Sequence, residues 1–195
     1  MAAIASGTDT FSFRATIANS EPEFLGFEVY YRIYAVSGDA YPTYFNTFDN
    51  MLAGSFQRLY DPKWAPGAPG FSRPLIAPDP VDHGADYKIT IDFNVPQDLS
   101  YPQVSSLGLT LEIMILAARR AVAGVLEYKR LKKSAFGSGE ADMTALAYTS
   151  IFNSEDVRIV MFAVSYGFDT SNFTQVYSLP VLIGIEDLTI RDFSD

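Results

Sequence analysis

Alternation of apolar with polar side chains at a period of two is the feature that most narrows what this chain can become. Tyr87-Lys-Ile89-Thr-Ile91-Asp-Phe93-Asn-Val95 keeps that period without a break, which predicts a strand with Lys88, Thr90, Asp92 and Asn94 on its wet face. Phe11-Ser-Phe13-Arg-Ala15-Thr-Ile17 repeats the pattern. So does Phe27-Glu-Val29-Tyr-Tyr31-Arg-Ile33-Tyr, which is also dense in β-branched and aromatic residues. There Phe27, Val29, Tyr31 and Ile33 are expected to face the core, with Glu28, Tyr30, Arg32 and Tyr34 facing a neighbouring surface. From Leu107 to Leu131, period two at Leu107, Leu109, Leu111, Ile113 and Ile115 favours two strands about a turn at Ala121 to Gly124. One long helix over the same stretch would be apolar all round. Val157 to Ala163 and Phe173 to Ile185 read as two further strands joined by residues 166–172. The fold class that follows is all-β and antiparallel.

Residues 39–86 interrupt this regularity. Pro62, Pro66, Pro69, Pro74, Pro78 and Pro80 keep regular structure there short, and the stretch reads as a long excursion ordered by packing on the sheets. One minor helix is expected inside it, over Phe45 to Tyr60, where Phe48, Met51, Leu52, Phe56 and Leu59 recur at helical spacing across Gly54. Residues 134–144, SAFGSGEADMT, have the composition of a flexible loop. No repeat, linker or charge block divides the 195 residues, so a single domain over 1–195 is expected.

Composition closes several functional classes. A net charge of −9 argues against non-specific nucleic-acid binding, which needs a basic surface. With no cysteine, the chain has no disulfide framework, thiolate metal site or cysteine nucleophile. No cofactor is implied, since neither a phosphate-binding glycine loop nor a dinucleotide fingerprint is present. The apolar stretch Leu107 to Ala118 is interrupted by Glu112 and falls short of the roughly 20 residues a membrane helix needs. The opening MAAIASGTDT lacks the charged flank and apolar core of a signal peptide.

Two blocks resemble the fibronectin type III family of β-sandwiches. The first is FSFRATIANSEPEFLGFEVYYRIYAVSGD, in which Gly26, Phe27, Val29, Tyr30, Tyr31 and Arg32 follow the family's proline-bearing turn, glycine and Y-x-V-Y-Y-R strand. The second is VRIVMFAVSYGFDTSNFTQVYSLPVLIGI, with Val160 to Ala163 like the family's penultimate strand and Ser178 and Pro180 like the Ser-x-Pro of its last. Phe11 and Phe13 stand where the family has a tryptophan, and Val157 replaces the tyrosine whose hydroxyl makes the tyrosine corner. The resemblance implies a heavily decorated immunoglobulin-like sandwich. The layout is also similar to that of bacterial cell-envelope lipoproteins, which implies export, a trimmed amino terminus and a lipid tether on an upstream cysteine.

Among residues that carry chemistry, His83 is the lone histidine and has no G-x-S-x-G serine to serve, so no catalytic residue is assigned. Asp79, Asp82 and Asp86 cluster closely enough on a loop to hold calcium, or simply to cap turns. Asp86, Asp92, Glu112 and Glu127 offer carboxylate pairs for glycoside hydrolysis, without a motif that selects one. The excursion is more distinctive, because Tyr41, Tyr44, Phe45, Phe48, Phe56, Tyr60, Trp64 and Phe71 crowd it. Exposed, such rings stack on sugars or partner proteins, with Trp64, Tyr60 and Tyr44 as the candidate binding residues and Asp61 or Asp79 accepting hydroxyls. Buried, they fill a satellite core. Arg119, Arg120, Lys129, Arg130, Lys132 and Lys133 form a basic patch, suited to an anionic partner or serving as a solvated hairpin edge. The expected function is a non-enzymatic structural or interaction module of the cell envelope with a protein or glycan partner. A carbohydrate-binding module and a glycoside hydrolase are the rivals.

Overall fold

The computed structural model describes residues 2–3, 10–15, 23–60, 87–92, 103–107, 114–115, 117–122, 125–129 and 133–190. Twelve strands lie within them: β1 Ala2–Ala3, β2 Thr10–Ala15, β3 Phe24–Ala35, β4 Gln57–Tyr60, β5 Tyr87–Asp92, β6 Gln103–Leu107, β7 Met114–Ile115, β8 Ala117–Val122, β9 Val125–Lys129, β10 Val157–Asp169, β11 Thr174–Tyr177 and β12 Val181–Leu188. Two helices join them, α1 Phe48–Ala53 and α2 Ala145–Phe152. The strands form one sheet in the order β1-β2-β5-β6-β7 and another in the order β11-β10-β3-β4-β8-β9, with β12 also on β10. Every strand pairing in both sheets is antiparallel.

The long pair β3–β10 organises the second sheet. Its register sets Ile159 opposite Ile33, Met161 opposite Tyr31 and Ala163 opposite Val29. These side chains share one face, because directly opposed residues in antiparallel strands point the same way. That face meets Phe11, Phe13, Ile89 and Ile91 from the first sheet in one hydrophobic cluster. Phe13 and Phe27 touch edge to face, with ring centroids 5.2 Å apart. The alternation in β2, β3 and β5 is thus read correctly on its apolar side. The other face of β3–β10 is buried too: Tyr30, Tyr34, Val160, Phe162 and Val164 make a second cluster with Met51 and Phe56. Tyr41, Phe45 and Phe48 pack against it. The first half of the excursion is therefore ordered, and most of its rings fill a satellite core.

Several boundaries differ from the sequence reading. The helix expected over 45–60 is confined to α1. Thr47 caps its start by accepting from Asn50 N at 3.1 Å, and the chain leaves it through Gly54 and Ser55, the latter at a φ of 61°. Leu59 then enters the main core from β4 rather than from a helix. The strand expected from Leu107 through Ile115 is not one strand, because Gln103 pairs with Ile115 and Val104 with Met114 across β6–β7, so the chain has reversed between them. The second turn is where it was expected, with Val122 opposite Val125 in the β8–β9 hairpin. The strand expected over 173–185 is broken at Ser178 to Pro180, where Ser178 Oγ accepts from Ser165 N at 2.9 Å and donates to Leu179 O. β11 and β12 consequently share one edge of β10, which runs on to Asp169 where a connection was expected.

Residues 134–144 are not a flexible loop. The Tyr31 hydroxyl donates to the buried Asp142 carboxylate. Ile33 N donates to Asp142 O at 2.8 Å, and Thr144 N to Ile33 O at 3.1 Å. This segment thereby completes the edge of β3 beyond the two residues that β4 pairs, satisfying backbone groups that would otherwise be stranded beside a core. Thr144 then caps α2, a helix the sequence reading did not anticipate, through Ala147 N at 3.1 Å.

The two sheets are in close contact beside the bulge of β12 opposite Met161 and Phe162. A Cβ on Gly184 would lie 2.5 Å from Phe11 Cδ1. Gly184→Ala is therefore predicted to destabilise the protein by about 1–3 kcal/mol, the usual cost of overpacking. Thermal denaturation should show a Tm lower by several degrees, and most of the loss should be recovered in Gly184→Ala/Phe11→Leu. An unchanged Tm in the single variant would contradict the close approach.

Candidate functional site: an aromatic strip on the outer sheet face

Among the described residues, the excursion covers the outer face of β3–β10 around Tyr34, Val160 and Phe162. Toward the β10–β11 hairpin that face carries a row of rings that the strand register draws from four elements. Tyr30 of β3 meets Phe48 of α1 edge to face at 5.4 Å. Phe48 stacks on Tyr177 of β11 at 4.0 Å, with the ring planes 8° from parallel. Tyr177 lies opposite Tyr166 of β10, their centroids 5.3 Å apart. Phe168 and Phe173 continue the row at 6.4 Å. Tyr30 and Tyr166 in this row are buried, Phe48, Tyr177 and Phe168 are half-buried, and Phe173 at its end is 80% exposed.

Phe173 is held out by its turn. Its φ is 54°, a left-handed conformation that costs a bulky side chain about 1–2 kcal/mol and that glycine or asparagine would adopt more easily. The Asp169 carboxylate fixes the turn by accepting from Ser171 N at 2.8 Å, Ser171 Oγ at 2.6 Å and Asn172 Nδ2 at 2.8 Å. These bonds, the Ser171 hydroxyl foremost, hold Asp169 below the usual carboxylate range. Val176 of β11 and Leu179 beyond its far end are also exposed.

Beneath the strip lies a buried ion pair. Glu28 of β3 is 2.8 Å from the Arg58 guanidinium of β4 and accepts from the Tyr30 hydroxyl at 2.7 Å. Burial pushes the Glu28 carboxyl above its ordinary value, an effect that Arg58 and the Tyr30 bond only partly offset. Tyr30 is pushed far above the ordinary phenol range by burial and by the Glu28 charge, so it remains a hydrogen-bond donor at all physiological pH. At the opposite end Arg158 holds Asp187 through Nε at 2.6 Å and Nη2 at 2.7 Å. Its guanidinium also sits over the Tyr41 ring at 5.0 Å, fastening the start of the excursion to β10 and β12.

Of the residues expected to bind, Tyr44 is 68% exposed on the excursion, and Tyr60 ends β4. Trp64 and Asp61 lie outside the described residues, as do Asp79, Asp82 and Asp86 of the expected metal loop and Arg130 and Lys132 of the basic patch. Among the described residues no group of three potential metal-ligating acids or histidines comes together. Arg119, Arg120 and Lys129 are on the β8–β9 hairpin, with Arg119 opposite Tyr128 and Arg120 opposite Glu127. Lys133 follows on a short 3-10 turn, Lys133–Ala135. The sequence reading misses Phe168, Phe173 and Tyr177: Phe168 falls in the connection expected over 166–172, and Phe173 and Tyr177 read as strand residues alone. No protein-family profile matches the chain, no curated protein matches it in sequence and no solved structure matches it in fold.

The raised carboxyl of Glu28 has a defined signature. Below about pH 4.5 the folded and unfolded chains both carry its proton. Between that pH and the higher folded value the native state binds more protons, so stability falls as pH rises and the loss is complete above the folded value. The stability of the wild type relative to Glu28→Gln should therefore decline as pH rises above about 4.5 and then level off. Arg58→Ala, which removes the offsetting charge, should extend the decline to higher pH. Urea unfolding across pH 4–8 checks this, and a difference that is flat or grows with pH would contradict it.

Proposed function

We propose that the protein is a non-enzymatic interaction module of the bacterial cell envelope, built on a decorated β-sandwich of the fibronectin type III kind. Two antiparallel sheets sharing one core support the sandwich reading, as do the long β3–β10 pair that carries both resembling blocks and the Ser178–Pro180 break before the last strand. The envelope placement rests on the resemblance to lipoproteins. The observation that carries the function is the exposed end of the aromatic strip, where Phe173 is kept in solvent at a strained φ by a three-bond turn. Contiguous exposed apolar surface marks interaction sites, and a strained exposed phenylalanine lowers stability without adding to the core. A protein or glycan partner lies across Phe173, Phe168 and Tyr177.

The glycan reading has its own support in the Tyr177 hydroxyl, 3.4 Å from Gln175 Oε1. Ring faces with polar rims are what the apolar faces and hydroxyls of a sugar require. The test joins location to surface. The full-length protein should fractionate with the envelope of its own cells, and the purified domain should co-sediment with washed envelope fragments. Phe173→Asn should weaken that retention at least tenfold while raising stability by about 1 kcal/mol, as relief of a left-handed strain does. Digestion of the fragments with protease or with glycosidases then distinguishes the two partner classes. Recovery in the cytosol, or retention unchanged by Phe173→Asn and Tyr177→Ala together, would overturn the proposal.

A further inference from the structure

Helix α2 and the 3-10 turn at Lys133 enclose a recess that the strip and its partner do not use. Its volume is about 260 Å3, and Lys133, Ser134, Phe136, Tyr148, Ile151 and Phe152 line it. Phe136 and Ile151 belong to the main core and make its floor. Tyr148 and Phe152 make an aromatic wall, with centroids 6.3 Å apart and planes at 38°. Phe152 is 66% exposed, so a large ring stands at the rim with one face toward solvent. The Lys133 ammonium is 5.6 Å from the Phe152 centroid and donates to Ser154 Oγ at 2.9 Å. One of its three protons is thus engaged, and the other two remain for a ligand.

We infer that this recess binds a small carboxylic acid with an aromatic or alicyclic ring. The floor is apolar and one wall aromatic, which gives binding through removal of apolar surface from water. The ammonium stands at the rim beside the Phe152 ring, so pairing with a carboxylate fixes the ligand's orientation. Charge favours an anion, because the Lys133 ammonium is the one charged group among the lining residues. An organic cation would be repelled there, and a neutral ring would gain nothing from the two remaining Lys133 protons. The inference is independent of the proposed function and stands or falls on other residues.

Benzoate is the probe, titrated into the isotopically labelled full chain while the Phe152 and Tyr148 ring resonances and the Lys133 side chain are followed. A ligand of this size is expected to bind with a Kd on the order of 1 mM. Benzyl alcohol, equal in shape but neutral, should bind at least tenfold more weakly, and Lys133→Met, which keeps the aliphatic stem, should weaken benzoate by about tenfold with little change in Tm. Phe152→Ala should also weaken benzoate. The inference is overturned if about 20 mM benzoate leaves these resonances unmoved, if benzyl alcohol binds as tightly, or if Lys133→Met binds benzoate like the wild type.

Discussion

The rest of the structure depends on burying the β3–β10 pair on both faces. A sheet with one wet face can alternate apolar and polar side chains, but β10 places Val160, Phe162 and Val164 on the second face, opposite Arg32, Tyr30 and Glu28 of β3. Each of these β10 side chains would lose about 1.5–3 kcal/mol of transfer free energy if that face were solvated. The cover comes from the excursion, whose Met51 and Phe56 are as buried as the main core. Phe45 meets Phe162 at 5.0 Å and Phe56 at 5.3 Å. A segment that is irregular in local structure is therefore fixed by the sheet it covers, and the sheet is completed by the segment.

The same constraint explains where polar groups are placed. Glu28 and Arg58 lie beneath rings, and a buried ion pair of this sort contributes little net stability while penalising any register that separates its members. Arg158 and Asp187 pair across directly opposed positions of β10 and β12, and Tyr41 joins them. Both devices hold the covering segment and its neighbouring strands in one alignment. That alignment brings Phe48 onto Tyr177, and so builds the aromatic strip from residues more than a hundred positions apart. Fold and candidate surface are consequences of one register.

Much of this register was legible in local pattern. The inward faces of β2, β3 and β5 follow from period two, and the β8–β9 hairpin reverses within the stretch Ala121 to Gly124 expected for the turn. What local pattern hides is structure fixed by distant partners. Glu140 and Asp142 sit in a glycine- and serine-rich stretch that looks solvated, yet both are buried because the backbone of 142–144 fills the open edge of β3. Helix α2 is short and uncharged, with Thr144 as its main local signal. The aromatic wealth of the excursion pointed to a surface or a satellite core, and the described half is largely core. The exposed rings are on the hairpin at its side, where Phe173 reads as one more strand residue until its backbone conformation is known.

The most direct test of two-faced burial compares neighbouring positions of β10. Met161 faces the main core and Phe162 the excursion, and both are fully buried. If the outer face is a true second core, Phe162→Ala should cost about 3–5 kcal/mol in equilibrium urea unfolding, comparable to the roughly 2–5 kcal/mol expected for Met161→Ala. A cost below about 1 kcal/mol for Phe162→Ala, beside a full cost for Met161→Ala, would mean that the outer face is open to water and that the excursion does not cover it.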